Sequence, residues 1–355
     1  MRPSAKAPRL ASKSSTGAKS MGSPIHKPEG HRIRSQSIEL LLCPMYQEAR
    51  KMKLILWIPL FLACLVFPAC AQPVYAPSPQ HPPREGEMEH KFVEAAGLKW
   101  HYVERGSGEA IVFLHGLPES WFSWHYQIEE VSKEYRVIAV DLKGYGQSDK
   151  RDGDYTPQGV ANELIAFFDS IGLERFSLVT HDWGTVIGDC IASTIPTRIV
   201  KYIRMQAPVL KVDPANHSQF ALFKNQALAT SIMSQARPFV TKVYENRTVQ
   251  KISDEDLEGI IFEFSRPGVA EAVPRYFRDY PLESEEVKLE RFKKMTFPVL
   301  VLQGEKDPAQ PLWYFEDIET VFSNVELQII RDAGHFTELE KPDEVSKAIL
   351  DFLAS

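Results

Sequence analysis

Asp182 stands at the centre of a short pattern that suits nucleophilic chemistry, Thr180-His181-Asp182-Trp183-Gly184. The apolar and β-branched run 176–180 predicts a strand before it, and residues 185–194 predict a helix after it. A reactive side chain on such a tight strand-to-helix turn is a nucleophile elbow, with a small residue and a glycine on either side. A carboxylate in this position would attack carbon and form an ester that water must then hydrolyse.

Two residues further along the chain complete a catalytic constellation with Asp182. Asp307 follows the predicted strand 298–302, and His335 follows the predicted strand 325–330. In such a triad the histidine removes a proton from water, and the acid orients the ring and stabilises its charged form. Each of the two residues alone could be an ordinary turn residue or surface histidine. Together, in the chain order nucleophile, acid, histidine, they predict the triad Asp182, Asp307 and His335.

The segment His115-Gly116-Leu117-Pro118 follows another predicted strand, 110–114. Its backbone is expected to supply one donor of an oxyanion hole, the amide of Leu117, and the second donor would be the amide of Trp183, next to the nucleophile. The alternative is an ordinary Gly-Pro turn. The position directly after a buried strand favours the oxyanion interpretation.

Several side chains near these turns are candidates for contact with a substrate. Trp183 could belong to the core, but its place beside the nucleophile favours a pocket-lining role. His115 and Pro118 are predicted to contact the substrate from the turn after strand 110–114. His181 is expected to be a structural hydrogen-bonding residue rather than a catalyst.

Strands and helices alternate along most of the chain, which predicts an α/β fold with a mostly parallel, eight-stranded sheet and helices on both faces. The predicted strands are 91–94, 98–104, 110–114, 136–141, 176–180, 200–205, 298–302 and 325–330, and the clearest helices are 157–173, 185–194 and 344–353. Loops at the carboxyl ends of parallel strands face one crevice, so the candidate residues are expected to meet there.

The alternation breaks once, over about 90 residues that show helical patterns without strand-like runs. We interpret this stretch, 208–296, as a helical lid inserted between two parts of the α/β core, 90–207 and 297–355.

The front of the chain has the layout of an export signal. Residues 52–71 combine a short positive start, an apolar run and an A-x-A site, which predicts a signal peptide cleaved near Ala71. Residues 1–51 are then an upstream segment that is not translated, or else a genuine basic presegment. Residues 72–89 are a Pro-rich linker. Lipid anchoring at Cys70 is an alternative, and the apolar run is too short to favour stable membrane insertion.

Charge and cysteine content exclude several classes of function. The whole chain of 355 residues carries a formal charge of −6, and residues 1–71 hold 11 Lys and Arg against 3 Asp and Glu, so the remainder carries −14. An acidic body argues against a nucleic-acid partner. Cys190 is the one cysteine after residue 71, and no metal-binding spacing is present, so we expect no metal and no other cofactor.

Four segments carry a resemblance to the epoxide hydrolases of the α/β-hydrolase fold: HGLPESWFSWHYQ at 115–127, DLKGYGQS at 141–148, HDWG at 181–184 and GHFTELEKP at 334–342. The resemblance implies Asp182 as nucleophile, Asp307 and His335 as the charge pair, and two lid tyrosines that protonate the departing epoxide oxygen. It also implies a small hydrophobic epoxide and water as the reactants.

The lid departs from that pattern. Its first helix has Phe220 and Phe223, with His217 nearby, where the resemblance implies a tyrosine or its substitute. The second tyrosine corresponds to the segment Tyr276-Phe277-Arg278, which makes Tyr276 the candidate ring-opening acid. The alternative is a half-buried structural tyrosine at 276. Tyr244 and Tyr280 are further candidates.

Other functions compete with epoxide opening. Haloalkane and haloacid dehalogenases use the same aspartate chemistry, but Leu117 replaces the asparagine that helps bind halide in the first group, and Trp183 replaces the arginine typical of haloacetate enzymes. A serine esterase is disfavoured because the elbow lacks serine. A secreted binding protein without catalytic activity could reuse the fold, but a complete triad argues against it.

Overall fold

A computed structural model describes residues 88–210 and 217–355 of the chain. The predicted presegment, the signal peptide with Cys70 and Ala71, and nearly all of the linker lie outside these residues. Eight strands form one sheet: β1 Glu89–Ala95, β2 Leu98–Arg105, β3 Ala110–Leu114, β4 Arg136–Val140, β5 Phe176–His181, β6 Ile199–Met205, β7 Val299–Gly304 and β8 Val325–Ile330.

The strand order in the sheet is β1-β2-β4-β3-β5-β6-β7-β8. From β4 to β8 all neighbours are parallel, whereas β2 is antiparallel to both β1 and β4. The prediction of an α/β fold with an eight-stranded, mostly parallel sheet is therefore confirmed.

Twelve α-helices accompany the sheet in the described residues. They are α1 His125–Val131, α2 Pro157–Ser170, α3 Trp183–Thr194, α4 His217–Lys224, α5 Gln226–Met233, α6 Ala236–Arg247, α7 Asp254–Phe264, α8 Val269–Ala272, α9 Pro274–Asp279, α10 Glu285–Phe292, α11 Thr337–Glu340 and α12 Pro342–Ala354. Helix α1 packs against α12, and α2 packs against α3. Right-handed crossovers put these two pairs on opposite faces of the sheet.

The central strands are buried along their whole length because they carry almost no polar residues. Strands β3, β4 and β5 expose little or nothing of Val112–Leu114, Val137–Val140 and Leu178–Thr180. A strand covered on both faces needs such a continuous apolar run. Since β3, β5 and β7 are parallel, the turns that follow them emerge at one edge of the sheet, which positions the site.

Between β6 and β7 the described residues form helices α4 to α10, which we call the lid helices, and no strand. Aromatic contacts join these helices: the ring of Phe277 in α9 lies 5.3 Å from that of Phe220 and 5.0 Å from that of Phe223 in α4. Among the residues that the structure describes, no helix has both the length and the apolar content needed to cross a membrane.

Candidate active site

Asp182 lies in a strained turn between β5 and α3, with φ +48°. Two glycines allow this turn to press against the turn after β3. A Cβ atom on Gly184 would lie 2.4 Å from the carbonyl oxygen of Leu114, and one on Gly116 would lie 2.5 Å from the Cβ of Asp182. Both positions therefore require glycine, and the two turns together hold the Asp182 carboxylate in a fixed place.

The carboxylate of Asp182 meets a donor on each side. Its Oδ1 accepts a hydrogen bond from the Leu117 amide at 3.0 Å, and its Oδ2 lies 3.5 Å from Nε2 of His335. Burial raises the pKa of Asp182, but the hydrogen bond and charge of His335 outweigh it and hold the pKa well below its usual range. The side chain is 22% exposed, so this carboxylate is ionised and accessible.

The two predicted oxyanion donors lie on either side of the elbow. The Leu117 amide already contacts Asp182, as described above. Trp183 is the first residue of α3, and an amide at that position has no acceptor within its own helix. Both amides are thus available to an oxygen that develops negative charge on the Asp182 carboxyl group.

His335 is held by Asp307, which in turn is held by its own loop. Nδ1 of His335 lies 2.8 Å from Oδ2 of Asp307. Asp307 also accepts hydrogen bonds from the amides of Ala309 and Gln310, at 2.7 and 3.1 Å, and from the side chain of Gln303. The structure thus brings Asp182, Asp307 and His335 together from the ends of three strands.

The charge state of His335 follows from its two acidic neighbours. Burial lowers the pKa of this histidine, but the charge of Asp307 and the hydrogen bonds to Asp182 and Asp307 raise it to about 9. The pKa of Asp307 lies below its usual value, because His335 and two backbone amides outweigh the effect of burial. At neutral pH the resting site therefore holds an imidazolium between two carboxylates.

The structure does not support a substrate contact for His115. This side chain is fully buried. Its Nδ1 donates to the carbonyl of Gly116 at 2.9 Å, and its Nε2 accepts from the amide of Leu142 at 3.0 Å. Because both nitrogens are bonded to backbone, His115 links the turns after β3 and β4. Pro118 is buried as well, and its contact with a substrate stays a prediction.

Aromatic side chains from the lid helices and their flanks surround Trp183. The Trp183 ring lies 6.0 Å from Phe220, 5.5 Å from Tyr276, 5.3 Å from Phe277 and 5.3 Å from Tyr280, measured between ring centroids. We call the four residues Phe220, Tyr276, Phe277 and Tyr280 the lid wall. It gives the side of the site next to the nucleophile an apolar and aromatic surface.

The hydroxyl of Tyr276 is engaged in a hydrogen bond to the backbone. It donates a hydrogen bond of 2.7 Å to the carbonyl of Lys143, and the side chain is fully buried. Burial raises the pKa of Tyr276 well above its usual value. This geometry matches the alternative interpretation of a structural tyrosine, and it does not support the prediction of Tyr276 as the ring-opening acid.

A different tyrosine, Tyr145, has an uncommitted hydroxyl. This hydroxyl is buried and has no hydrogen-bond partner among the described residues. The Tyr145 ring packs 5.0 Å from His115 and 5.6 Å from Tyr276. Burial first, and then the negative charge of Asp182, raise its pKa. Tyr145 lies inside the motif at 141–148, but sequence reasoning did not single it out.

The other lid candidates are Tyr244, Tyr280 and His217. Tyr244 is buried in a stack on Phe336, with ring centroids 4.1 Å apart. Tyr280 is half-buried, and burial followed by the charge of Glu283 raises its pKa to about 12. His217 begins α4, and its side chain lies outside the described residues.

Glu340, also missed from sequence, fastens the His335 loop to the lid. Its carboxylate accepts hydrogen bonds from the amides of Gly334 and Phe336, on both sides of His335. It also accepts from the amides of Val249 and Gln250, just after α6. The position of His335 therefore depends on the lid as well as on the core.

Comparison with known proteins identifies the family to which this fold and site belong. The sequence profile of the α/β-hydrolase fold family matches residues 109–342. The human protein "Epoxide hydrolase 4" is 29% identical over 316 residues, which cover 80% of this chain and 85% of the relative. The mouse protein of the same name is 30% identical over 288 residues, 74% of this chain and 78% of the relative.

Solved structures share this fold. The crystal structure of an epoxide hydrolase from Vigna radiata matches with a TM-score of 0.67 at 26% identity, over 76% of this chain and 98% of the other. A protein from Burkholderia cenocepacia, Cfl2, matches with a TM-score of 0.66 at 27% identity, over 77% of this chain and 98% of the other.

Proposed function

This chain belongs to the α/β-hydrolase fold family and, within it, to the epoxide hydrolases, and we propose that it opens an epoxide to a vicinal diol through an ester on Asp182. One observation carries the proposal. The elbow presents an ionised carboxylate between the Leu117 amide and the His335–Asp307 pair. A carboxylate nucleophile needs a base for the second step but none for the first, and this arrangement provides it.

In the first step, an oxygen of Asp182 bonds to an epoxide carbon. The carbon–oxygen bond of the ring breaks, its electron pair goes to the epoxide oxygen, and that oxygen takes a proton from a donor in the site. The product is an ester of Asp182 with a neighbouring hydroxyl. The low pKa of Asp182 keeps the nucleophile ionised at neutral pH.

Ester formation itself prepares His335 for the second step. The resting pKa of His335, about 9, depends on both neighbouring carboxylates. Esterification removes the charge of Asp182, so this pKa must fall. The imidazolium then returns a proton to the donor that protonated the epoxide oxygen, and the neutral ring can act as a base. Water then attacks the ester carbonyl and gives its proton to His335. The Leu117 and Trp183 amides stabilise the oxyanion, and the diol leaves with the proton from His335.

Ring opening also needs an acid, and we assign this role to Tyr145. The hydroxyls of Tyr145 and Tyr244 have no acceptor at hydrogen-bond distance among the described residues, whereas that of Tyr276 donates to the carbonyl of Lys143. Of the two, Tyr145 faces the charge of Asp182, whereas Tyr244 faces Glu119. A free hydroxyl can donate to the substrate oxygen without losing an existing hydrogen bond. General acid catalysis of this kind contributes roughly 10²–10⁴-fold.

Trapping the ester tests the mechanism. A His335→Gln variant mixed with a styrene-type epoxide should accumulate a covalent adduct, and mass spectrometry of the digest should locate it on the peptide that contains Asp182. An adduct on another peptide would overturn the assignment. Tyr145→Phe should slow adduct formation by roughly 10²-fold or more, and a normal rate in that variant would exclude Tyr145 as the acid.

A dehalogenase is the second candidate, because one observation favours it. The wall beside Trp183 offers two phenylalanines, and the Tyr276 hydroxyl is bonded to Lys143. A halide leaves without a proton, so the engagement of the Tyr276 hydroxyl with the carbonyl of Lys143 would not slow its departure. Parallel assays with an epoxide and a bromoalkane, measuring diol and bromide, distinguish the two functions.

The substrate is a hydrophobic epoxide, since the lid wall surrounds Trp183 with aromatic rings rather than charged groups.

For residues 52–71 we propose export with cleavage near Ala71, supported by the charge, the apolar run and the A-x-A site. N-terminal sequencing of the exported protein should begin near Gln72. A product that stays inside the cell with residues 1–51 attached would contradict it.

A further inference from the structure

A second polar cluster lies beneath the candidate active site. It consists of Glu119 after β3, His181 at the end of β5 and Glu338 in α11, and all three side chains are essentially unexposed. One ligand-type atom from each lies within 4.8 Å of the others. Buried charges are costly unless they are paired, so the distribution of protons in this cluster matters.

His181 must carry protons on both ring nitrogens. Its Nε2 lies 2.9 Å from the backbone carbonyl of His335, which can only accept. Its Nδ1 lies 2.8 Å from Oε2 of Glu119, an oxygen that also accepts from the Gly116 amide at 2.9 Å. Burial lowers the pKa of His181, but the charges of Glu338 and Glu119 raise it to about 9. His181 is therefore an imidazolium with two acceptors.

Glu338 is the carboxyl group of the cluster that most needs a proton. Its carboxyl oxygens and Oε1 of Glu119 are buried and make no hydrogen bond of ordinary geometry among the described residues. The hydroxyl of Tyr244 faces Glu119, and the amide of Glu338 faces its own carboxyl group. The imidazolium is 3.9 Å away and already has its two acceptors. Burial and the neighbouring charge of Glu119 raise the pKa of Glu338 well above its usual value. A proton on Glu338 gives each carboxyl group a partner.

We propose that Glu119 and Glu338 share one proton and, together with His181, act as positioning residues that lock the oxyanion turn to the His335 loop. Glu119 holds the amide of Gly116, which precedes the oxyanion donor Leu117, and His181 holds the carbonyl of His335. His181 also directly precedes the nucleophile Asp182 in the sequence. One neutral cluster therefore sets the relative positions of three loops of the active site.

The cluster holds a proton rather than a metal ion. Two carboxylates and a histidine are possible metal ligands, but a metal needs a lone pair on the imidazole. Both nitrogens of His181 have hydrogen-bond acceptors at 2.8 and 2.9 Å, so neither lone pair is available. The other titratable groups that face the cluster are Asp182, Tyr244 from the lid, His115, Tyr145 and His335.

Paired substitutions at 338 test the positioning role. Glu338→Gln keeps a donor toward Glu119, whereas Glu338→Leu removes it and keeps the volume. We expect the leucine variant to lose about 10- to 100-fold in kcat with little change in KM, and the glutamine variant to recover most of that loss. Equal losses in both variants would overturn the proposal. This test rests on the proposed function, because it needs turnover.

A second measurement needs no substrate. A carboxyl whose pKa is raised in the folded state contributes stability that is present below its unfolded pKa and is lost as the pH rises. Glu338→Gln should therefore gain stability relative to the wild type as the pH rises above 4.5, whereas Glu344→Gln, at an exposed position of α12, should not. If the unfolding free energies of Glu338→Gln and the wild type depended on pH in the same way, the shared proton would be overturned. One equivalent of divalent metal in the purified protein would overturn it too. Either result would stand even if the protein opens epoxides.

Discussion

The floor and the lid wall of the active site are built on different principles. The floor consists of Leu117, Asp182, Asp307 and His335, and it is held by hydrogen bonds and charges from turns that follow four strands. The lid wall, Phe220, Tyr276, Phe277 and Tyr280, is held by ring packing around Trp183. In the floor a backbone amide, a carboxylate and an imidazole act together, with Asp307 behind His335, whereas in the lid wall the hydroxyl of Tyr276 donates to the carbonyl of Lys143.

This contrast separates two tasks. Hydrogen bonds fix direction and charge, so the floor determines which reaction occurs. Ring packing fixes shape but tolerates many arrangements, so the lid wall determines which substrates fit. The two regions meet at Glu340, which joins the His335 loop to the segment after α6. Variants that change one region should therefore affect chemistry or substrate choice, but not both equally.

The largest effect is expected at the nucleophile. Asp182→Asn keeps the shape of the side chain but removes the charge that attacks carbon. Turnover should fall by on the order of 10⁴–10⁶-fold, and no adduct should form in a quenched mass-spectrometric assay. Circular dichroism should match the wild type, because the elbow is held by its backbone and by Gly184 and Gly116. Substantial activity in this variant would mean that the floor does not carry the reaction.

A smaller loss is expected from Asp307→Asn. The amide cannot stabilise the imidazolium, so hydrolysis of the ester should slow by roughly 10²–10⁴-fold, while ester formation slows less. Rapid-quench measurement of both phases checks this. Asp332→Asn is a matched control, because Asp332 also follows a strand but is exposed and paired with Lys306; its effect should be within about twofold. Equal slowing of both phases by Asp307→Asn would contradict the assigned role.

The charge of His335 in the floor should also affect how the unfolding free energy depends on pH. The pKa of His335 is raised from 6.5 to about 9 in the folded protein. The sign follows from linkage: this contribution to stability is present below pH 6.5 and is lost as the pH rises through about 9. Between those pH values, the urea-unfolding free energy of the wild type should fall relative to that of His335→Gln. A constant difference would mean that His335 is neutral in the resting enzyme.

The sequence predicted the floor well because the floor depends on local rules. A nucleophile elbow needs a strand, a tight turn and a glycine in fixed register, and Gly184 has no room for a side chain next to Leu114. The buried strands are short apolar runs, which periodicity detects directly. These constraints act over a few residues, so one sequence reveals them.

The lid and the buried cluster depend on contacts between distant residues, which one sequence does not reveal. Tyr276 pairs with Lys143, 133 positions earlier in the chain. His115 looked like a pocket residue, but its ring bonds to the Leu142 amide on a neighbouring turn. Tyr145 and Glu338 were inside recognised motifs, yet their significance comes from what surrounds them in space. The elbow was predictable because its residues have a fixed spacing in the sequence, and a helical lid has no such fixed spacing.

The smallest effect is expected at Tyr276, and it tests the contrast between floor and lid wall most sharply. Tyr276→Phe leaves the carbonyl of Lys143 without its donor, so the unfolding free energy should fall by about 1–2 kcal/mol. Tyr155→Phe is a matched control, since Tyr155 is also buried, packs 5.2 Å from Tyr276 and donates to the Arg151 carbonyl at 2.9 Å. Both variants should lose similar stability and form the epoxide ester at rates within about threefold of the wild type, because neither hydroxyl faces the reaction. A drop of roughly 10²-fold in Tyr276→Phe alone, with bromoalkane turnover unchanged, would place the ring-opening acid in the lid wall after all.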